Sequence, residues 1–335
     1  MKLKKYEKNP VLAPNPEHEW ENLVNTNPGA WYDEKKGEVI LLYRAAGDTK
    51  EHYINLAVAK STNGYDFERV CDHPLMQTIP GGWDSGSIED PRIVKMGEYY
   101  YITYATVPLA PGRYWEGSRN RENLPEEFPF CLRENETRTG LALTKDFKTI
   151  YRPGYLTDPT LDDRDVVIFP EKVGGQFVTL HRPMQWTGEA YGGSDSPAIW
   201  IARSDDLLEH KNMKLLAKAE YEWERKIGGS APPIKTPYGW FMLYHAVGED
   251  SQYRVGAMLL DLEKPEKVTH RLPEPIMEPE YDYECKGIYK GICFPCGNVV
   301  IDGTLFVYYG GADQYVGVAT CEFEELLQEL LKNPV

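Results

Sequence analysis

The sequence has little that suits a membrane, an export signal or a nucleic acid. No apolar run approaches the roughly 18 residues that a membrane span needs, and the charged start Met1–Tyr6 leads into no apolar stretch, which argues against a standard signal peptide. Lys and Arg total 37 against 52 Asp and Glu, a formal net charge of −15. Because nucleic acids and anionic membranes attract positive charge, neither is expected as a partner. We expect a cytoplasmic protein.

Cofactor and metal motifs are also scarce. No P-loop and no GxGxxG is present, so a nucleotide is not implied. His52, His210 and His270 stand apart from one another, and we expect no metal and no cofactor. Cys293 and Cys296 have CxxC spacing, but no second pair accompanies them. We interpret them as buried free thiols beside a strand.

A repeat is what the sequence does contain. A run of apolar and aromatic residues, opened by a glycine turn, recurs five times at intervals of roughly 60 to 80 residues. The copies are 37–44, 97–104, 175–182, 239–245 and 303–309. Each is followed by a second strand-like run, with no helical periodicity between the units. The pattern predicts an all-β fold: residues 1–335 form a single five-bladed β-propeller domain, with a C-terminal helix at about 322–332.

Polar residues at the ends of these copies are candidates for one shared site. In a propeller the inner strands line a central channel, and chemistry gathers where their ends meet. Arg44, Arg182 and His245 end three of the copies, and the segment after the fifth reaches Asp313. Several such residues at equivalent strand ends predict a common pocket.

Two further groups of residues point to chemistry. Just before the second copy, Glu89, Asp90 and Arg92 form a compact charged group, either a loop ion pair or an acid for bond cleavage that Arg92 orients. Basic residues from successive units could form a cationic pocket inside this acidic protein, and guanidinium and ammonium groups suit phosphate. They are Arg164, Arg182, Lys226 and His245.

A series of short motifs then resembles a known family. The motifs are Asn27-Pro28-Gly29-Ala30, Tyr43-Arg44, Glu89-Asp90-Pro91-Arg92, Phe169-Pro170-Glu171-Lys172, His181-Arg182-Pro183, Lys226-Ile227-Gly228 and Tyr308 to Asp313. Their order across nearly the whole chain resembles the mannoside phosphorylases of glycoside hydrolase family 130. The resemblance implies a five-bladed propeller that cleaves β-mannosides with inversion, uses inorganic phosphate as co-substrate and releases α-mannose 1-phosphate. A homo-oligomer is compatible with it.

Roles follow from the resemblance, position by position. Asp90 matches the general acid, whose proton travels through a hydroxyl of the bound mannose. The phosphate-binding positions are Arg164, Arg182, Lys226 and His245. Asn27, Arg44 and Asp313 match positions around the transferred mannosyl residue, and we assign further substrate contacts to Glu89, Arg92, Asp165 and Tyr244. Glu89 stands where the β-1,4 phosphorylases often have tyrosine, which leaves the linkage (β-1,2 or β-1,4) and the acceptor sugar open.

The sequence leaves two alternatives to phosphorolysis open. An inverting hydrolase needs a second carboxyl group, roughly 6.5 to 9.5 Å from the acid, to activate water, and Asp165 or Glu171 could be that base. A propeller with 23 tyrosines and 8 tryptophans could also be a sugar-binding module without catalysis.

The connection from Val107 to Arg138 is long for a link between two strands of one unit. It contains several aromatic and basic side chains, including Tyr114, Trp115 and Arg119. We expect it to border the acceptor site, with Tyr114 or Trp115 stacking on a sugar ring.

Overall fold

The computed structural model describes residues 1–117, 125–129 and 133–335. In these residues the strands form five antiparallel sheets, one after another along the chain, around a central channel. The predicted five-bladed β-propeller is confirmed. The sheets are named blades 1 to 5 in chain order.

Each blade begins at the channel and runs outward. Blade 1 contains β2 (Val24–Asp33), β3 (Glu38–Ala46), β4 (Ile54–Ser61) and β5 (Glu68–Arg69). Blade 2 contains β6 (Glu89–Met96), β7 (Tyr99–Thr106), β8 (Arg138–Thr144) and β9 (Ile150–Tyr155). Blade 3 contains β10 (Asp163–Ile168), β11 (Phe177–Pro183), β12 (Ile199–Ser204) and β13 (Lys211–Ala217). Blade 4 contains β14 (Lys226–Gly229), β15 (Ile234–Thr236), β16 (Gly239–Val247), β17 (Tyr253–Leu260) and β18 (Val268–Arg271).

Blade 5 joins the two ends of the chain. It contains β19 (Cys293–Ile301), β20 (Thr304–Gly311), β21 (Tyr315–Glu322) and, as its outermost strand, β1 (Lys4–Lys5). In the described parts of the chain, short 3-10 helices cover Tyr114–Glu116 and Glu189–Tyr191, and the α-helices named here are α1 (Asp282–Cys285) and α2 (Phe323–Leu331). Helix α2 confirms the predicted terminal helix and packs its buried side chains against blades 4 and 5. No helix in the described part of the chain is long and apolar enough to cross a membrane.

The apolar repeat corresponds to the second strand of every blade, counted outward from the channel, and not to the innermost one. In blade 4 this second strand is β16, because β14 and β15 both pair with its inner edge. Successive side chains of β3 alternate between two interfaces: Leu41 and Tyr43 pack against blade 5, whereas Ile40 and Leu42 pack against blade 2. Both faces of the strand are therefore buried, which produces an uninterrupted apolar run. The innermost strands β2, β6, β10, β14 and β19 are less apolar at their channel ends, because they carry the polar motifs of the site.

A buried polar triad recurs in blades 1, 2, 4 and 5. In each, a tyrosine of the second strand donates its hydroxyl hydrogen to a buried carboxylate, which also pairs with a cation from the outermost strand. The triads are Tyr43–Glu21–Arg69, Tyr104–Asp84–Arg152, Tyr244–Glu224–Arg271 and Tyr309–Glu284–Lys5. The cation offsets the cost of burying the carboxylate charge.

Candidate active site

Three innermost strands carry the same irregularity at the channel. β-Bulges interrupt the pairing of β2, β6 and β10 at Asn27, Asp90 and Asp165. These residues have positive φ angles of 45°, 50° and 53°, a conformation that Asn and Asp tolerate better than most residues. Bulges re-aim side chains, and all three residues line one pocket at the channel end.

Asp90 lies in a mixed environment. Its Oδ1 accepts a hydrogen bond of 2.8 Å from Nδ2 of Asn27 and lies 3.7 Å from a terminal nitrogen of Arg44. Burial raises the pKa of Asp90 and neighbouring Glu89 adds to the rise, although Arg44 opposes it. A raised pKa favours the protonated carboxyl that a general acid needs.

Arg44 forms salt bridges with the two other acidic side chains that line the pocket near Asp90. Its Nη1 lies 3.1 Å from Oε2 of Glu89 and 3.2 Å from Oδ1 of Asp313. The hydroxyl of Tyr114 donates to the other oxygen of Asp313 at 3.1 Å. Burial raises the pKa of Asp313 to about 6. Blades 1, 2 and 5 thus provide hydrogen-bonding groups that suit sugar hydroxyls.

The basic residues gather on the side of blades 3 and 4. Arg164 and Arg182 are direct cross-strand neighbours on β10 and β11. Nη1 of Arg182 lies 3.2 Å from Nε2 of His245, and burial lowers the pKa of His245 to about 4. Burial, and then the charges of Arg182 and Arg164, lower the pKa of Lys226 to about 8. Arg164 itself is held by two hydrogen bonds to Asp162, at 2.6 and 2.7 Å.

Arg92 and Asp165 connect the two sides. Arg92 donates one hydrogen bond of 2.8 Å to the carbonyl oxygen of Asp90 and another of 3.0 Å to Oδ1 of Asp165. Oδ2 of Asp165 lies 2.9 Å from Nε of Arg182. Burial alone would raise the pKa of Asp165, but Arg182, His245 and Arg92 together hold it below its usual range. Asp165 is therefore an ionised partner of Arg92 and Arg182.

The sequence matches the family model of glycoside hydrolase family 130, described as β-1,4-mannooligosaccharide phosphorylase, over residues 2–118 and 126–332. The chain belongs to this family. Its relatives include the 1,2-β-oligomannan phosphorylase of Thermoanaerobacter sp. (strain X514), 38% identical over 97% of this chain and 99% of that protein. The β-1,2-mannobiose phosphorylase of the same strain is 33% identical over 97% of this chain and 99% of its own length.

A solved structure supports the same assignment. The β-1,2-mannobiose phosphorylase from Listeria innocua, in complex with β-1,2-mannobiose, superimposes with a TM-score of 0.80 at 26% identity. The match covers 99% of this chain and 100% of that one. The family 130 protein is thus an enzyme, a glycoside phosphorylase.

Two residues considered from the sequence lie away from the pocket of the family 130 enzyme. Tyr244 alternates with His245 along β16, so it faces the interface with blade 3, where its hydroxyl bonds to Glu224. Tyr244, which we expected to contact substrate, does not line the pocket. Glu171 is half exposed, pairs with Lys235 and lies beside the β6–β7 turn, at the other end of the strands.

The long connection of blade 2 reaches the pocket through Tyr114, as its hydrogen bond to Asp313 shows. Trp115 packs edge-on against His52, with ring centres 4.6 Å apart, and does not line the pocket. Arg119 lies outside the described residues.

Three aromatic residues of the pocket were missed from the sequence: Tyr253, Tyr289 and Phe294. The ring of Phe294 lies 4.5 Å from that of His245. Its signal was hidden because the residue stands inside the CxxC segment. Cys293 and Cys296 themselves are buried free thiols of β19, as interpreted.

Proposed function

We propose that this family 130 enzyme cleaves β-1,2-mannosidic bonds of manno-oligosaccharides by inverting phosphorolysis and releases α-mannose 1-phosphate. One observation carries the proposal: two arginines of blade 3 line the pocket that Asp90 enters from blade 2, and a lysine and a histidine of blade 4 lie beside them, so that four basic side chains form one cluster. These are Arg164, Arg182, Lys226 and His245. A dianion needs such a cluster, whereas a neutral water molecule does not.

The reaction divides between the two sides of the pocket. Asn27, Arg44 and Asp313 hold the mannosyl residue that is transferred. Phosphate, held by the basic cluster, attacks the anomeric carbon as the glycosidic C–O bond breaks. The proton of Asp90 reaches the departing oxygen through a hydroxyl of the bound mannose, and the shortened oligosaccharide leaves with that proton. No cofactor takes part, and phosphate is the co-substrate.

Hydrolysis is the weaker candidate because no described carboxylate beside Asp90 is unpaired. Even Asp313, whose pKa of about 6 would suit a base, is held by Arg44 and Tyr114. The acidic side chains that line the pocket beside Asp90 are each paired with arginine: Glu89 and Asp313 with Arg44, and Asp165 with Arg92 and Arg182. A base that activates water needs a carboxylate free to accept a proton. The lowered pKa of Asp165 makes it a poor one.

The linkage is proposed from the relatives. The family description names β-1,4-mannooligosaccharides, but the two relatives at 38% and 33% identity are named for β-1,2-linked substrates. The Listeria innocua structure also contains β-1,2-mannobiose. Glu89, which precedes the acid, is compatible with this choice.

The test incubates the protein with β-1,2- or β-1,4-mannobiose, each with and without inorganic phosphate. We expect mannose 1-phosphate from the β-1,2 substrate only when phosphate is present. Mannose released at the same rate without phosphate would show a hydrolase. Binding of mannobiose without any product would show a sugar-binding module, and a faster reaction of the β-1,4 substrate would refute the linkage.

A further inference from the structure

Blade 3 departs from the polar triad of the other four blades. At the position of the tyrosine it has His181, which is buried, and its Nδ1 lies 2.7 Å from Oδ2 of the buried Asp163. Among the side chains that the structure describes, no arginine or lysine pairs with this carboxylate. In its place His210, just before β13, hydrogen-bonds through Nε2 to the carbonyl oxygen of Leu156 at 3.1 Å. Thr179 links the two histidines.

The donors and acceptors of this series of hydrogen bonds determine which ring nitrogens of the two histidines carry protons. Nε2 of His210 must donate to the carbonyl oxygen, so its Nδ1 accepts; burial, which lowers the pKa of His210 to about 4, keeps this ring neutral. Oγ1 of Thr179 lies 3.2 Å from that Nδ1 and has one proton to give it. Nε2 of His181 lies 2.7 Å from the same oxygen and must then donate to it.

The second nitrogen of His181 also needs a proton. Its 2.7 Å contact with Asp163 requires one, and imidazole is a stronger base than carboxylate. His181 therefore carries protons on both nitrogens when every hydrogen bond of the chain is made. This agrees with the pattern of the other blades, where each triad contains one carboxylate and one cation. In blade 3 the imidazolium replaces the arginine or lysine.

The ion pair of His181 and Asp163 is bonded directly to the backbone of a residue of the basic cluster. Oδ1 of Asp163 accepts the backbone N–H of Arg182 at 2.9 Å. Asp163 immediately precedes Arg164, and His181 immediately precedes Arg182, so the pair joins the two strand ends from which both arginines project. A shift of either strand would move a guanidinium group of the pocket.

We propose that the ion pair of doubly protonated His181 with Asp163 positions Arg182 and Arg164 for phosphate. His181 and Asp163 are positioning residues that do not touch the substrate. The proposal rests on the proposed function in taking phosphate as the ligand of the two arginines.

The protonation state is tested by NMR of the whole protein labelled with 15N-histidine. Of the seven histidines, His181 is the one that contacts both Thr179 and Asp163, so the signals that change in both Thr179→Val and Asp163→Asn assign it. Near neutral pH we expect both ring nitrogens of His181 to carry protons in the wild type. In Asp163→Asn this signature should be lost, because the carboxylate that stabilises the imidazolium is gone. A single protonated nitrogen in the wild type would overturn the proposal.

The positioning role is tested by kinetics with β-1,2-mannobiose and phosphate varied in turn. Thr179→Val removes the hydroxyl that links His181 to His210, which should raise KM for phosphate about fivefold and leave KM for the mannoside within about twofold. Asp163→Asn, which retains an acceptor for the N–H of Arg182, should show the same split. Thr236→Val is the matched control, because its buried hydroxyl bonds to the carbonyl oxygen of Gly239 at the far end of blade 4.

The kinetics distinguish a failure of the proposed function from a failure of the positioning role alone. If the wild type makes no mannose 1-phosphate, the proposed function fails and the positioning role with it. If the wild type uses phosphate but both KM values move together in Thr179→Val and Asp163→Asn, or neither moves, only the positioning role fails.

Discussion

Nδ2 of Asn27 donates a hydrogen bond of 2.8 Å to Oδ1 of Asp90. The amide is fixed in this orientation because its Oδ1 accepts the hydroxyl hydrogen of Thr26 at 3.0 Å. Blade 5 closes the space behind it: a Cβ on Gly310 would overlap Oδ1 of Asn27. The bond favours the ionised form of Asp90, whereas burial favours the neutral form. Burial and this hydrogen bond thus act on the pKa of Asp90 in opposite directions, and the net rise suits the general acid that we propose.

The first prediction concerns Asp90→Asn. We expect kcat for phosphorolysis of β-1,2-mannobiose to fall by about 10²- to 10⁴-fold, since the general acid is lost. The change is isosteric, so the thermal unfolding midpoint and the binding of mannobiose should change little.

An aryl β-mannoside with a good leaving group is the internal control for this variant. Its departing oxygen needs less protonation, so the loss in kcat should be smaller than with mannobiose. Equal losses with both substrates would indicate that Asp90 acts in another way.

The second prediction uses two adjacent glycines of β14. A Cβ on Gly228 would overlap Oδ2 of Asp165 and lie 2.7 Å from Nε2 of His245, whereas one on Gly229 would meet its nearest atom at 3.5 Å. We expect Gly228→Ala to lower the free energy of unfolding by about 1–3 kcal/mol through overpacking and to raise KM for phosphate.

Gly229→Ala is the matched control, and its KM for phosphate should stay near the wild-type value. Denaturant unfolding and initial rates at varied phosphate measure both effects. Similar behaviour of the two variants would refute the close approach of Gly228 to the basic cluster.

The third prediction concerns the pH dependence of stability. Burial raises the pKa of Asp313 from 3.8 to about 6, so the folded protein binds this proton more tightly than the unfolded chain. The stabilisation is present below about pH 4 and is lost as the pH rises through about 6. Relative to Asp313→Asn, the wild type should lose up to about 3 kcal/mol of unfolding free energy across this range. A constant difference in urea titrations would contradict it.

The fold could be predicted because every second strand is buried on both faces. Its apolar run stands out in the sequence, as Ile40 to Tyr43 illustrate. The innermost strands could not be found in this way. Strand β14 has only four residues, from Lys226 to Gly229. The other innermost strands carry polar motifs and bulges instead of an apolar run.

The sequence could predict those site residues that stand at the ends of the repeated strands. Arg44, Arg182 and His245 end second strands, and the structure brings them to the pocket or directly behind it. Tyr244 precedes His245, but successive side chains of a strand point to opposite faces, so Tyr244 points away from the pocket. The sequence motif alone does not show which of the two residues faces the pocket. The link from Asp163 to His181 depends on register between strands, which local sequence does not reveal.

The fourth prediction tests the role of Lys226 through its pKa, which burial lowers to about 8. Above that pH the ammonium loses its proton while phosphate remains dianionic. KM for phosphate should therefore rise, by up to about tenfold for the loss of one charged donor, and KM for the mannoside should stay level.

Lys226→Arg separates this cause from others because guanidinium keeps its charge throughout the range. Its KM for phosphate, expressed as the concentration of the dianion, should be independent of pH between about 7 and 9.5, whereas in Lys226→Met it should be high and level from the start. Lys235→Met, which changes a half-exposed lysine at the other end of blade 4, should follow the wild type. If Lys226→Arg shows the same rise as the wild type, the titrating group is another one, and the placement of Lys226 in the phosphate cluster loses its support.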